Sequence, residues 1–256
     1  MLKESRIREK KRVFKLNRSD KMEPIIEVKD VTKIYKVGNE KILALDNVNL
    51  TINKGEFCCL LGTSGSGKST LLNVMAGIEK LTSGEVIMRG RKINKMSERE
   101  LSIFRQKYLG FIFQSYNLIP ALTAFENVEL PLIFKEIEPK KRKKLVKEII
   151  TAVGIAGRAK HKPSQMSGGQ QQRVGIARAF ASSPEIVFAD EPTGNLDSKT
   201  TMEIMELIKN ISKQYNQTIV MVTHDSRIAE FADKIIHIHD GRIANIENKN
   251  ETVSAV

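Results

Sequence analysis

The 256-residue sequence predicts an α/β fold: a parallel sheet flanked by helices, with an antiparallel β portion before it and a helical subdomain inserted into it. Three observations predict this. Residues 57–61 (Phe-Cys-Cys-Leu-Leu) are a short, wholly apolar run, as a strand buried on both faces should be. They lead through a glycine-rich loop into Leu71, Leu72 and Met75 at helical spacing. Residues 185–239 then alternate strand, helix, strand, helix, strand, and such crossovers build parallel pairings. Between these two regions, residues 123–160 switch to a helical period.

The loop itself is Gly62-Thr63-Ser64-Gly65-Ser66-Gly67-Lys68-Ser69-Thr70. Gly62 and Gly67, followed by Lys68 and Ser69, have the phosphate-loop spacing, and the strand before and helix after supply its required context. A bare glycine-rich βα turn shares the spacing but predicts nothing about the flanks. Glycines let backbone N–H groups close around phosphate oxygens at the positive end of a helix dipole. Lys68 would reach the β- and γ-phosphates, and the Ser69 hydroxyl would hold Mg2+. The core is therefore that of a P-loop NTPase.

Residues 1–22 carry nine Lys and Arg against Glu4, Glu9 and Asp20, half of the chain's net charge of +12. A solvated basic arm is the first reading, docking on an anionic membrane surface the sharper one, and nucleic-acid contact the third. The arm lacks the apolar centre of a signal peptide, and no stretch approaches the roughly 18 apolar residues of a membrane span. The two cysteines, Cys58 and Cys59, are adjacent in the expected buried strand and cannot form an ordinary disulfide with each other. That points to a reducing, cytoplasmic setting, with any membrane role reached through a partner.

Pro24 opens the domain, expected over residues 23–247. Residues 25–31 alternate as a half-buried strand, Gly38-Asn39 reads as a hairpin turn, and residues 42–45 and 49–52 continue the antiparallel portion into the phosphate-loop strand. Residues 85–88 are a further strand. Ser97 and Glu100 form a capping box that starts a helix to about Tyr108, and residues 109–113 are an apolar strand ending at Gln114. The helical subdomain spans about 115–167. Pro139 suits a first helical position, and Leu145, Val146, Ile149, Ile150 and Val153 line one face up to Gly154. The basic run 140–144 falls on that helix's exposed start as a solvated face. Ser167-Gly168-Gly169 opens the next helix, Asp197 and Ser198 cap another, residues 225–231 form a last one, and Asp240-Gly241 turns the final strand back. Residues 248–256 read as a loose tail.

Four further motifs fall where nucleotide chemistry needs them. Residues 186–191 (Ile-Val-Phe-Ala-Asp-Glu) are an apolar strand ending in two acids. Met166-Ser167-Gly168-Gly169-Gln170 puts a hydroxyl and glycine amides at a helix N-terminus, another anion site. Gln114 and His224 each follow an apolar strand. With the phosphate loop, the set resembles the ATP-binding cassette family over roughly residues 25–245. The resemblance implies ATP and Mg2+ as ligands and assigns roles. Asp190 with Ser69 and Gln114 would support the metal, and Glu191 would be the catalytic base, with His224, Lys68 and Gln114 acting beside it. Gly62 to Thr70 would hold the bound phosphates. Ser167, Gly168, Gly169 and Gln170 would grip the γ-phosphate bound to a second copy, so that active sites form only in a head-to-tail homodimer. Asp197, in Asn195-Leu196-Asp197, lies in the loop through which the two sites communicate. Tyr35 would stack on adenine, although a core hairpin tyrosine fits as well. Met166 stands where the family usually has Leu, a swap that keeps size and apolarity. The remaining histidines, His161, His237 and His239, have no such context.

Residues 113–120 (Phe-Gln-Ser-Tyr-Asn-Leu-Ile-Pro), Glu126-Asn127-Val128 and residues 191–197 (Glu-Pro-Thr-Gly-Asn-Leu-Asp) look like the branch of macrolide-export, lipoprotein-release and antimicrobial-peptide transporter ATPases. The resemblance implies the ATPase subunit of a bacterial transporter that drives a separate permease at the cytoplasmic face of the membrane, for export or extraction. The alternative is an ATPase switch in a cell-division or signalling complex. A DNA-repair or translation ATPase would bring a coiled-coil insertion or a second cassette, and nucleic acid has only the basic arm in its favour. Tyr116, Leu118, Ile119, Leu122 and Phe125, in the helical insertion, are expected to form the face that docks on the permease, with ordinary core burial the alternative for some of them.

Overall fold

The computed structural model describes residues 23–249; the basic arm over 1–22 and the last residues, 250–256, lie outside the described residues. The strands are β1 (Pro24–Val37), β2 (Glu40–Asn53), β3 (Phe57–Leu61), β4 (Ser83–Met88), β5 (Arg91–Lys92), β6 (Leu109–Phe113), β7 (Ile186–Asp190), β8 (Thr218–Thr223), β9 (Lys234–His239) and β10 (Arg242–Asn248). The α-helices are α1 (Lys68–Met75), α2 (Glu98–Tyr108), α3 (Ala124–Phe134), α4 (Pro139–Ala152), α5 (Gly168–Ala181), α6 (Ser198–Gln214) and α7 (Ser226–Ala229). None of the described helices is long and apolar enough to cross a membrane.

Two sheets form. The larger runs β10-β9-β3-β8-β7-β6, parallel throughout except for the antiparallel β9–β10 edge. The smaller, β2-β1-β4-β5, is antiparallel. The antiparallel portion does not run on into β3 as one sheet. A turn with Gly55 at φ +76° sends the chain from β2 into the other sheet, where Phe57 starts β3 between β8 and β9.

Alternation along the strands splits the core in two. Phe57, Cys59, Ile112, Val187, Ala189, Ile219 and Met221 pack beneath the helices of the insertion together with α5 and α6. Cys58, Leu60, Phe188, Val220, Val222 and Ile236 face α1, α2 and the antiparallel sheet. Burial on both faces is why these strands read as unbroken apolar runs. The two cysteines are buried free thiols on opposite faces of β3.

Local signals in the sequence act as expected. Ser97 completes its capping box with Glu100, and Pro139 is the first residue of α4. A further box, Thr123 with Glu126, starts α3. The insertion is tied to the core by Lys135, whose ammonium donates to Lys107 O at 3.0 Å and Ser182 O at 2.8 Å, near the ends of α2 and α5. Residues 225–231 are helical only over Ser226–Ala229. The amides of Phe231 and Ala232 bond three residues back, to Ile228 O and Ala229 O, so the chain tightens rather than continuing an α-helix. At the other end the fold passes the expected boundary: β10 includes Asn248, and Lys249 N donates to Asp233 O at 2.9 Å.

Candidate active site

Strand register gathers the candidates on one edge. Leu61 pairs with Thr223, Val222 with Asp190, and Asp190 with Phe113. Gly62, His224, Glu191 and Gln114 are the next residues on β3, β8, β7 and β6. All four leave the sheet at the carboxyl ends of parallel strands, where open α/β sheets bind ligands, with Glu191 and Gln114 one residue short of the level of Gly62 and His224.

The phosphate loop is shaped by close backbone approach. Gly67 caps α1 at φ +99°, a conformation that L side chains rarely adopt, and a Cβ there would stand 2.5 Å from Ala44 O. No side chain caps this helix, which leaves its N-terminal N–H groups open to an anion. Lys68 is buried, and its ammonium donates to Thr63 O at 2.6 Å, so it is already held under the loop. Burial lowers the Lys68 pKa, while the negative charges of Glu191 and Asp190 oppose that.

The Ser69 hydroxyl donates to Asp190 Oδ1 at 2.9 Å. Burial raises the Asp190 pKa; Ser69 works against the rise, Glu191 adds to it and Lys68 offsets it. Ser69 and Asp190 therefore present oxygen donors and an under-compensated negative charge. No cluster of three metal-binding side chains occurs among the described residues. This donor set fits Mg2+, which takes one or two protein oxygens and completes its shell with phosphate and water.

Glu191 has φ +43°, in the left-handed region, and is held there by Glu191 N donating to Val222 O at 3.1 Å and Gly194 N donating to Glu191 O at 3.0 Å. A non-glycine residue kept in that region is a strained position of the kind found at functional sites. Its Oε1 is 3.1 Å from His224 Nδ1, with the histidine side chain 62% exposed and the glutamate 24%. Gln114 reaches the same edge but bonds to Asn195: its Nε2 donates to Asn195 Oδ1 at 3.4 Å, and Asn195 Nδ2 donates to Gln114 O at 3.1 Å.

Tyr35 lies on β1 with its hydroxyl donating to Glu79 and a second side-chain bond to Thr70, in the first turn of α1. Burial and Glu79 raise its pKa. The Lys33 ammonium stands 4.6 Å over its ring, so one face is already covered. His237 stands level with Leu61 on the neighbouring strand β9 but pairs with Glu247 at 2.7 Å, and His239 pairs with Asp240 at 3.3 Å.

Ser167 to Gln170 are not brought to the phosphate loop. Ser167 caps α5 in a capping box with Gln170, and these residues share a separate depression with Asn195, Leu196, Asp197 and Thr200. The Asp197 carboxylate is engaged in capping α6, accepting from Thr200 N at 3.0 Å and Thr200 Oγ1 at 2.6 Å, and those bonds hold its pKa down. One chain thus carries two separate helix N-termini, at Lys68 and at Ser167, rather than one gathered site.

Comparison with known proteins decides the family. The pattern describing "ABC transporter" matches residues 45–194. The chain belongs to the ABC transporter family. An uncharacterized ABC transporter ATP-binding protein of Methanocaldococcus jannaschii is 51% identical over 225 residues, covering 88% of this chain and 100% of the relative. The macrolide export ATP-binding/permease protein MacB of Pasteurella multocida is 44% identical over 221 residues, covering 86% of this chain and 34% of that longer protein. A solved dimeric ATP-binding cassette in a post-hydrolysis state with ADP and Pi superposes with a TM-score of 0.82 at 48% identity, covering 88% of this chain and 98% of the other. This cassette is an ATP-binding ABC ATPase subunit, built on the α/β P-loop fold that its sequence predicts.

The geometry gives structural roles to side chains that the motifs alone do not explain. Asn127 is wholly buried. Its Oδ1 accepts from Ile119 N at 2.8 Å, and its Nδ2 donates to Ile119 O, Leu122 O and Thr123 O at 3.0–3.2 Å, which shapes residues 119–123. Arg178 donates to Asn117 O at 2.6 Å and Tyr116 O at 2.9 Å, where Tyr116 and Asn117 have φ +60° and +48°. Gln172, wholly buried on α5, donates to Phe113 O at 3.4 Å and to Pro192 O. The available signal was a polar residue within a helical stripe of core positions, Gly168, Gln172, Ile176 and Ala179.

Of the five apolar side chains expected at a docking face, only Ile119 is largely exposed. Ile119 is 44% exposed, whereas Leu118 and Phe125 pack onto the helical core and the Tyr116 hydroxyl lies over Gly168. Among the large apolar side chains more exposed than Ile119 are Ile103 on α2 (54%) and Phe134 on α3 (64%), elements joined where Gln106 donates to Phe134 O.

Proposed function

We propose that this cassette powers a separate membrane permease by closing head to tail with a second copy around ATP, for export or extraction of a peptide, lipid-linked or drug-like substrate. The observation that carries this reading is the split site. Lys68, Ser69, Asp190 and Glu191 stand on one edge and Ser167 to Gln170 in another depression of the same chain. Each half is an anion site with open sides, and a second copy would supply what each lacks. The export direction rests on the likeness to MacB.

ATP would seat its phosphates on the open amides around Gly65 and Gly67. Lys68 would exchange its bond to Thr63 O for the β- and γ-phosphate oxygens. Ser69 and Asp190 would hold Mg2+, which would supply positive charge beside the phosphates. Glu191, fixed by its strained backbone, would take the proton of the attacking water, and His224 would hold the carboxylate in place and face the γ-phosphate. Gln114, on the adjoining strand end, would sense the nucleotide and pass its state to residues 115–123. Ser167 and the glycine amides of the second copy would stabilise the equatorial oxygens.

Ile103, Ile119 and Phe134 suit the permease contact, and the arm over 1–22 would add anionic-lipid affinity of about 1 kcal/mol per basic side chain near the surface. Affinity purification from membranes of the source cells, with MgATP present, tests this. It should recover a multi-spanning membrane protein whose presence stimulates ATP turnover. Recovery of the cassette alone, or with a soluble partner, refutes it. A membrane partner that regulates an enzyme outside the membrane, with no solute crossing, favours the signalling switch.

A further inference from the structure

We infer that Gln172 is a positioning residue whose buried amide locks the Gln114 and Glu191 strand ends together and to the Ser167 end of α5. The inference rests on the roles proposed for Gln114 and Glu191. Phe113 immediately precedes Gln114, and Pro192 immediately follows Glu191. Phe113 and Asp190 are the last paired residues of β6 and β7, so beyond them no ladder bond holds the two loops in register. The Gln172 Nε2 donates to both Phe113 O and Pro192 O and takes over where the ladder stops.

The amide orientation follows from its partners. Two carbonyl oxygens converge on one end, so that end is the nitrogen, and the Oε1 is left buried with no partner. A leucine would fill the same position without orphaning an oxygen, so packing alone does not account for an amide here. Gln172 also lies about one turn from Ser167 to Gln170. Six residues further along α5, Arg178 grips Tyr116 O and Asn117 O, so the helix holds the chain on both sides of Gln114. None of these contacts touches the phosphate loop. Losing the Gln172 donors should therefore leave ATP binding intact and misplace the hydrolytic groups, and an error of about 1 Å in such groups costs on the order of 100-fold in rate.

The molecule supplies its own control. Gln217 is also buried, donates to Pro184 O at 2.8 Å and leaves its Oε1 unpartnered, but it precedes β8 at the opposite end of the strands from the site. Full-length wild type, Gln172→Leu, Gln172→Glu and Gln217→Leu are compared for thermal stability, ATP affinity, KM and kcat. Both Gln172 variants should lose about 10- to 100-fold in kcat with ATP affinity within about threefold of wild type, and Gln217→Leu should keep its kcat. Gln172→Glu retains the side chain's shape and in its protonated form regains one donor. Its kcat relative to wild type should therefore rise as pH falls, while Gln172→Leu shows no recovery. Gln172 variants within about twofold of wild-type kcat, or an equal loss in Gln217→Leu, overturn the inference. Lys68→Ala reads the site assignment separately: unchanged turnover there removes the proposed roles, whatever Gln172 does.

Discussion

Replacing Asn127 with alanine should destabilise the cassette well beyond an ordinary surface change. The side chain is wholly buried and makes four hydrogen bonds to residues 119–123. Two of these end on groups with another partner, since Thr123 O also accepts from Asn127 N and Ile119 O from Leu122 N. Each such loss costs about 0.5–1 kcal/mol. The other two, on Ile119 N and Leu122 O, leave backbone groups short of a partner at about 1 kcal/mol or more each. Ile119 is exposed enough for water to recover part of its share. The total is about 2–4 kcal/mol, which for a domain of this size lowers Tm by roughly 5–15 °C. Circular dichroism melts of full-length protein read the shift, and limited proteolysis should show faster cleavage within residues 115–123. A shift below about 2 °C with unchanged proteolysis would refute the assignment of Asn127 as the loop's anchor.

Two further outcomes follow from side chains already placed. Gly175 sits inside α5 without a positive φ, and a Cβ there would meet Tyr116 O at 3.6 Å and Gln172 Oε1 at 3.7 Å, ordinary contact distances; Gly175→Ala should therefore stabilise by about 0.5–1 kcal/mol in chemical denaturation, and a loss of stability would mean that the helix needs the space. Burial raises the Asp190 pKa, so the folded chain binds that proton more tightly than the unfolded one, and stability falls as pH rises from the ordinary Asp range through the raised value. Asp190→Asn should accordingly raise the Tm of nucleotide-free protein near neutral pH by about 1–4 °C and abolish Mg2+-dependent turnover. The gain in Tm should vanish as pH drops below about 4, and a lower Tm at pH 7 would contradict the account.

The parts of the site that depend on chain spacing were legible in the sequence. An apolar strand followed by glycines, or by two acids, fixes the element and the residue at which the chain leaves it, while strand register sets the level. Gly62, Gln114, Glu191 and His224 are therefore found by locating four strand ends. The capping box at Ser97 was legible because it is closed within four residues, and the boxes at Thr123 and Ser167 are of the same local kind. What was not legible depends on contacts distant in sequence. Gln172 and Asn127 are single polar residues in apolar stripes, and their partners come from other elements or from a loop with left-handed residues. Which of the apolar residues 116–125 pack inward is set by such contacts: Leu118 and Phe125 are half-buried against the helical core, while Phe134 is exposed because α3 ends there. Gln114 faces Asn195 rather than the Ser69–Asp190 pair, a choice between neighbours at the same sheet edge that spacing alone does not make.

The central claim is that one chain holds two half-sites that close only against a second copy. Glu191→Gln tests it most directly, because losing the base should preserve bound ATP while the dimer persists. Size-exclusion chromatography with light scattering, on full-length Glu191→Gln with and without MgATP, should show a monomer without nucleotide and a dimer with it. A variant that stays monomeric at high concentration with ATP demonstrably bound would contradict the claim.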